Sequence, residues 1–466
     1  MIRLSRRPAP GPLAHAGTGP PAGSVVPRRI RLISGVTVAA LVLLFTVLAT
    51  TSQSARTGLR IIGHGAGPQV VATAGLYFAL SDMDGQIAQV LLLGKDHPER
   101  RQAALQLYDR RRGEAGRALF RASALAGDDP AQTRTTQAVL DGMGRYERLA
   151  TRALQLDEQA GHQAGPPPER VLSIYRDATD LMREELLPQA YNLTLESGTN
   201  VRRVHDETRS SLAAGRAVVA VAGVLALGCL AGLQVFLARR FRRVIGPALV
   251  VATAIAAMYA FTGFGLPARE AETLLTAKRD GFDTVLSLAR ARAIGNGMRA
   301  DQTRYLLDPQ RADTYEHTYL DAAQSVLYVE AGNVREYHER MSAAAGPSGF
   351  PGFLGAALTE RDGEGARAAF LAYVRFQGAD ATLRALPAQD RHGEAVAVRL
   401  ASLGEEFDGY DARVLALSER HRAVFERAIA QGEDALADLL FLLPAAMISI
   451  AVLVVAGILP RLNEYR

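Results

Sequence analysis

AVVAVAGVLALGCLAGLQVFLA (217–238), RRFRR (239–243) and VIGPALVVATAIAAMYAFTGFGL (244–266) follow one another without a break. The two outer stretches contain no Asp, Glu, Lys, Arg or His, and the five residues between them contain four arginines. A bilayer core about 30 Å thick needs about 20 apolar helical residues, so the pair reads as a membrane hairpin. Leu32 to Thr51 and Leu439 to Pro460 are runs of the same kind, which makes four spans. Everything else falls into two long polar segments and three short charged ends.

The charge distribution orients this frame. The 466 residues carry a net +5 and a pI near 9.4, a balance shared with nucleic-acid binders, but the arginines are not scattered. Arg3, Arg6, Arg7, Arg28, Arg29, Arg31, Arg239, Arg240, Arg242, Arg243, Arg461 and Arg466 all lie on one side of the four spans, and with Glu464 they sum to +11. The two long segments together then carry −6. Short Lys/Arg-rich loops stay in the cytoplasm, so both termini and the Arg239 to Arg243 turn are expected inside and both long segments outside the plasma membrane. The basic pI is thus a topology signal, and no nucleic-acid partner is expected. The first span is longer than the apolar core of a signal peptide and reads as a retained anchor. Cys229, the single cysteine, sits in the second span, so no intrachain disulfide can staple the polar segments.

The expected fold is an all-α membrane protein with four transmembrane helices and two extracytoplasmic antiparallel helical bundles. Residues 1–31 read as a disordered basic arm; spans occupy 32–51, 217–238, 244–266 and 439–460. Segments 52–216 and 267–438 form the bundles, 239–243 a cytoplasmic turn and 461–466 a cytoplasmic tail. In the first segment a Gly-rich joint (Gly63, Gly65, Gly67, Pro68) precedes Leu76, Leu80, Met83, Ile87, Val90 and Leu91, the spacing of one helical face. Further helices are expected to about Leu125, from Ala131 to Gln159, and from Glu169 across Pro188 to the second span. The second segment repeats the plan, with helices at 269–307, 311–344 and 353–376, then a run from Val396 to Ala430 that enters the last span. Four helices in up-down order bring the first and last side by side.

Enzyme chemistry finds little footing. The nine histidines make no His-Glu-x-x-His or His-x-His spacing, and no Gly-rich phosphate loop or nucleophile elbow is present. No catalytic residue, metal ligand or cofactor is assigned. Ion transport needs ionisable groups inside the membrane, and the spans have none. Gly228 and Gly232 in the second span, and Ala252, Ala256 and Ala257 in the third, are small residues that let helices approach in lipid. They read first as hairpin packing and second as a homodimer contact.

The candidates for binding lie in the polar segments. Tyr77, Ser81, Asp82 and Asp84 fall near the apolar seam of the first long helix, where carboxylates either fix helix register, recognise a partner or simply face solvent. Arg290 and Arg292 sit mid-helix in the second segment; an inward arginine can clamp a carboxylate ligand in bidentate fashion, and an internal salt bridge is the plainer alternative. Tyr315, Tyr319, Tyr328 and Tyr337 read as core packing. Inside the cell, Arg239, Arg240, Arg242, Arg243, Arg461, Tyr465 and Arg466 are the residues offered to a partner.

Several runs carry a resemblance. Leu76-Tyr77 to Gly94 with its Leu80-Ser81-Asp82-x-Asp84 core, Tyr175-x-x-Ala178-Thr179-Asp180-Leu181-Met182, and Leu186-Leu187-Pro188-Gln189-Ala190 resemble the GlnX-type four-pass membrane proteins of actinobacteria. Phe282-Asp283, Leu288-Ala289-Arg290-Ala291 and the tail Pro460 to Arg466 are similar to the same family. The resemblance implies a transducer between an extracytoplasmic amino-acid-binding lipoprotein of the GlnH type and a cytoplasmic Ser/Thr kinase of the PknG type. Two other readings stand beside it: direct small-molecule sensing by chemoreceptor-like bundles, and a scaffold for envelope assembly.

Overall fold

The structure, a computed structural model, describes residues 25–126, 130–241, 246–347, 349–358 and 362–463. Among these residues there are helices and connecting turns and no strand. The chain divides into two compact units. One comprises residues 1–53, 212–268 and 438–466, the other residues 54–211 and 269–437.

The first unit contains the spans. They belong to helices α1 (Val25–Arg60), α6 (Leu187–Phe241), α7 (Pro247–Thr276) and α14 (Ser402–Asn463), all four long and apolar enough to cross a membrane. Leu44 and Leu48, Leu230 and Leu233, Ala252 and Ala256, and Ile450 and Val454 form its core. Its outer surface is equally apolar: Val224, Phe261 and Phe441 are 72%, 77% and 83% exposed. A helix that is apolar all round has no water-facing side, so lipid is the solvent that fits, and the chain is a multi-pass membrane protein.

Close helix approach here does not use the residues singled out in the second span. A Cβ on Gly228 or Gly232 would meet nothing within 4 Å, whereas one on Gly223 would touch Ala260, and one on Gly263 would press on Leu48. Gln234 Nε2 fixes the α6–α7 contact by donating to Leu249 O (3.1 Å) and Thr253 Oγ1 (2.6 Å). Ala252 and Ala256 are buried as hairpin packing requires. Arg239 and Arg240 lie in the last turn of α6; Arg242, Arg243, Tyr465 and Arg466 lie outside the described residues.

The second unit holds both polar segments around one shared apolar core. Its first half comprises α2 (Gly67–Leu93), α3 (Pro98–Ala126), α4 (Pro130–Ala160), α5 (Glu169–Asp180) and the start of α6. Its second half comprises α8 (Thr284–Leu307), α9 (Ala312–Val326), α10 (Val334–Ser342), α11 (Phe353–Ala357), α12 (Gly363–Ala385), α13 (His392–Leu400) and the start of α14. The two bundles read from sequence are joined by α2, which packs along both α3 and α8. Small residues make that crossing close: a Cβ on Gly85 would stand 3.2 Å from Ala300 Cβ, and one on Gly297 3.7 Å from Ser81 Oγ.

The Gly-rich joint is a correction. Residues 61–66 form a π-helical turn between α1 and α2, and a second π turn, residues 181–186, lies between α5 and α6. Each ends two residues before a proline, Pro68 and Pro188. Proline lacks an N–H and its ring clashes with the carbonyl four residues back, and a wider π turn on that side relieves the clash without breaking the helix. Gly63 has a further reason to be small, since a Cβ there would lie 2.5 Å from Ile429 Cγ2 of α14. A third π turn, residues 277–283, precedes α8.

The helix expected at 311–344 is also broken. Leu327 is extended, Tyr328 N donates to Pro351 O (2.8 Å), and α10 restarts at a reciprocal cap. There Asn333 Oδ1 accepts from Glu336 N (2.9 Å) while Glu336 Oε2 accepts from Gly332 N (2.8 Å). Asn333-x-x-Glu336 was present in the sequence and marks a helix start as a variant of the capping box, with the glutamate reaching one residue further back than the N-cap. The expected helix at 353–376 is likewise two helices, α11 and α12.

The C-terminal end of α2 is tied to the α4–α5 connection. Gly94 adopts φ +53°, Lys95 N donates to His162 O (3.0 Å), and Gly165 N donates to Leu92 O (2.9 Å). His162 holds the connection through both ring nitrogens, Nδ1 at 2.9 Å from Asp157 Oδ1 and Nε2 at 2.9 Å from Leu91 O. Both partners are acceptors, which suits the imidazolium. Its hydrogen bond to Asp157 raises the His162 pKa above the ordinary 6.5, against the opposing effect of burial. A raised histidine contributes stability that is complete below 6.5 and is lost as pH rises through the folded value. Thermal unfolding of the full chain is therefore expected at higher temperature at pH 5.5 than at pH 7.5, about one pH unit either side of an ordinary histidine. The difference should shrink in His162→Gln.

Candidate functional site

Charged residues inside the α2–α8 seam organise the site. Asp84, fully buried on α2, accepts hydrogen bonds from Tyr146 Oη of α4 (3.0 Å), Thr179 Oγ1 of α5 (2.6 Å) and Arg304 Nη2 of α8 (2.5 Å). Arg304 also donates to Asp301 Oδ1 (2.5 Å) and Tyr175 Oη (3.3 Å). One carboxylate thus binds four helices together. Burial opposes the Arg304 charge, but Asp84, Tyr175 and Asp301 together outweigh it and hold the guanidinium well above its ordinary value. Burial pushes the Asp301 carboxyl up, with Arg304 pulling the other way.

Asp82 is buried too. It accepts from Arg111 Nε (2.6 Å) and Gln86 Nε2 (2.8 Å), while Arg111 lies over the Phe78 ring. Of the readings offered for Asp82 and Asp84, helix register is the one their surroundings match, and a solvated position is overturned. Arg292 is likewise structural: its Nε and Nη2 donate to the two oxygens of Asp411, both at 2.7 Å.

The other three candidates meet at one place. Tyr77, Ser81 and Arg290 line a pocket of about 840 Å³, walled by α2, the π turn 181–186, the start of α6, α8, α9 and α11. Both halves of the sequence contribute to it. Tyr77 and Ser81 line it from α2, and Asp301 and Arg304 from α8. Burial, and then the Asp301 charge, push the Tyr77 hydroxyl pKa up, so it stays protonated. Arg311 closes one side, its Nη1 donating to both oxygens of Asp180 at 2.9 Å. Arg183 donates from Nη2 to Thr318 Oγ1 (2.8 Å) and lies over the Tyr315 ring.

Arg290 is different. Its guanidinium carbon lies 5.7 Å from the Tyr191 ring centre and 5.4 Å from that of Phe353. Its Nε is buried and makes no hydrogen bond among the described residues. Tyr191 in turn packs edge-on against Tyr77, ring centres 6.4 Å apart. Volume, apolar walls and a few convergent polar groups are the marks of a small-molecule site.

Residues 58–206 match the model of the actinobacterial sensor domain. No curated protein and no solved structure matches the chain. The sensor-domain stretch runs from the end of α1 into α6 and so includes Tyr77, Ser81, Arg183 and Tyr191 of the pocket, as well as Asp84 at the seam. The remaining pocket wall, α8, α9 and α11, comes from outside it.

Sequence reading missed Arg183, Asp301, Arg304, Tyr191 and Phe353. For two of them a signal existed: Asp301 and Arg304, three residues apart on one face of α8, follow Met298 and precede Leu307 on the buried side. Charges at core positions of an amphipathic pattern are paired or functional. The cytoplasmic candidates Arg239, Arg240, Arg242, Arg243, Arg461, Tyr465 and Arg466 are not joined into a site by any described contact.

Proposed function

We propose that this protein is a transmembrane signal transducer without enzymatic activity, whose polar unit receives a chemical stimulus outside the plasma membrane and whose output is taken up inside by a separate protein. The pocket of about 840 Å³ within a unit that carries a sensor domain is the observation that supports it. Two further features agree. Helices α6 and α14 each run unbroken from residues of the polar unit into a span, and a helix that slides or tilts is a common two-state element. Of the partners in view, a Ser/Thr kinase of the kind the GlnX resemblance implies is the receiver we favour.

For the input, the pocket favours direct entry of a small molecule over relay from an amino-acid-binding lipoprotein as the first step. A lipoprotein that delivers its ligand to the pocket is compatible with both. The transducer reading requires the polar unit and the arginine-rich turn to lie on opposite sides of the membrane. In a Cys229→Ser background, Gln159→Cys on the exposed face of α4 should label with a membrane-impermeant maleimide in intact cells. Arg239→Cys should label only after permeabilisation. Reversed labelling would remove the proposal.

A further inference from the structure

Of the arginines that line the pocket, one has no hydrogen-bond acceptor among the described residues, and its chemistry names a class of ligand. Four arginines line it, and three are engaged: Arg304 with Asp84 and Asp301, Arg311 with Asp180, and Arg183 with the Thr318 hydroxyl. Arg290 alone holds its guanidinium between two aromatic rings with its Nε buried and without an acceptor. Aromatic faces attract the cation and fix its plane, but they accept no in-line N–H hydrogen bond of ordinary strength. An unsatisfied donor is costly, and no described residue supplies an acceptor to this pocket-lining guanidinium, so an acceptor would have to come from the cavity.

A guanidinium held flat presents two parallel N–H donors, the geometry that matches a carboxylate. A phosphate ester carries more negative charge than a carboxylate, and the cavity that would hold it already contains the carboxylates of Asp301 and Glu184. The cavity's apolar lining includes Ala74 on α2, Leu187 on α6, Ala289, Ala293 and Ile294 on α8, and Ala322 on α9, and Tyr77 and Ser81 add hydroxyls.

We infer that the pocket binds an organic monocarboxylate with an apolar or aromatic body, its carboxylate on Arg290 and its body along Ala289, Ala293 and Ile294 of α8. The inference rests on the reading of this unit as a sensor and supplies the stimulus. Binding would bridge the two halves of the polar unit, because Arg290 belongs to the second and Tyr191 to the first. It would also reach the π turn 181–186, whose Arg183 and Glu184 line the same cavity.

The test uses the purified full chain in nanodiscs and a panel of hexanoate, decanoate, 4-phenylbutyrate and indole-3-acetate, each beside its carboxamide. Ligand that binds only the folded state raises the unfolding temperature in proportion to the logarithm of its concentration. At least one carboxylate should do so at millimolar concentration while its amide does not. Arg290→Gln should weaken that binding by about 10- to 100-fold, as loss of a charge-assisted hydrogen bond predicts. Arg290→Lys, which keeps the charge but not the planar fork, should fall between. Phe353→Leu removes one of the two rings without touching the cation and should also weaken binding, which keeps the test open should Arg290→Gln fold poorly. No shift with any acid, an equal shift with the amide, or unchanged affinity in both variants would overturn the assignment. None of these results alters the maleimide labelling, so failure of the ligand class and failure of the transducer reading are told apart.

Discussion

Asp84→Asn is expected to lower the stability of the polar unit by up to about 3–5 kcal/mol, the cost of breaking a buried ion pair, with Asp301 left as the carboxylate on Arg304. The carboxylate accepts three hydrogen bonds from three different helices, and one donor is the guanidinium of Arg304, itself 3% exposed. An amide in its place keeps the shape but turns one acceptor into a donor, which then faces Tyr146 at the Oδ1 position or both Thr179 and Arg304 at the Oδ2 position. Thr179→Val removes a donor without stranding a charge and should cost about 1 kcal/mol. Thermal unfolding of the full chain in detergent, followed at the transition of the polar unit, separates the two. Equal effects would mean that the charge on Asp84 contributes nothing beyond its hydrogen bonds.

Gly94→Ala is expected to be nearly as damaging, at about 2–5 kcal/mol, for a reason confined to backbone. Its φ of +53° is left-handed, which alone costs an L-residue about 1–2 kcal/mol. A Cβ there would also stand 2.6 Å from Gln163 C and 2.7 Å from His162 O. Neither atom can rotate away, because Lys95 N is bonded to that same His162 carbonyl. Gly161 supplies the control: its φ is +57°, yet a Cβ would meet nothing within 4 Å. Gly161→Ala should show the left-handed penalty alone, and the excess in Gly94→Ala measures the steric term. Matching losses in the two variants would show that the α4–α5 connection yields.

What the sequence could and could not disclose follows from where each signal resides. The spans are legible because lipid demands a long uncharged run, a local and one-dimensional property. α4 is legible for a related reason: it lies on the surface of its unit with a single apolar stripe through Val139, Met143 and Tyr146, and its observed limits of 130–160 differ from the expected 131–159 by one residue at each end. α2 is the opposite case. Between Ala79 and Leu93 nearly every side chain is buried, so no polar face exists to set against an apolar one, and Asp82 and Asp84 look like surface positions until α3, α4, α5 and α8 are seen around them.

The pocket was only partly visible. Tyr77, Ser81 and Arg290 were named from their places on helices, but nothing local announces that residue 290 will sit beside residue 191, or residue 304 beside residue 84. Such contacts depend on the docking of two segments separated in the chain by a membrane hairpin. The Gly63 to Pro68 joint failed for a different reason. Glycine and proline together are a breaker signal in a water-exposed chain, and the π turn that reconciles them with a continuous helix leaves no composition of its own.

That π geometry has a consequence for the pitch of the chain. A π turn is an α-helix carrying one residue more than its repeat needs, and one residue corresponds to about 100° of rotation about the helix axis. Were the turn at 181–186 to relax to the α repeat, every side chain downstream in α6 would change bearing by that angle relative to every side chain upstream in α5. The same six residues supply Arg183 and Glu184 to the pocket. The cavity wall is therefore also the angular reference of the helix that continues into the second span.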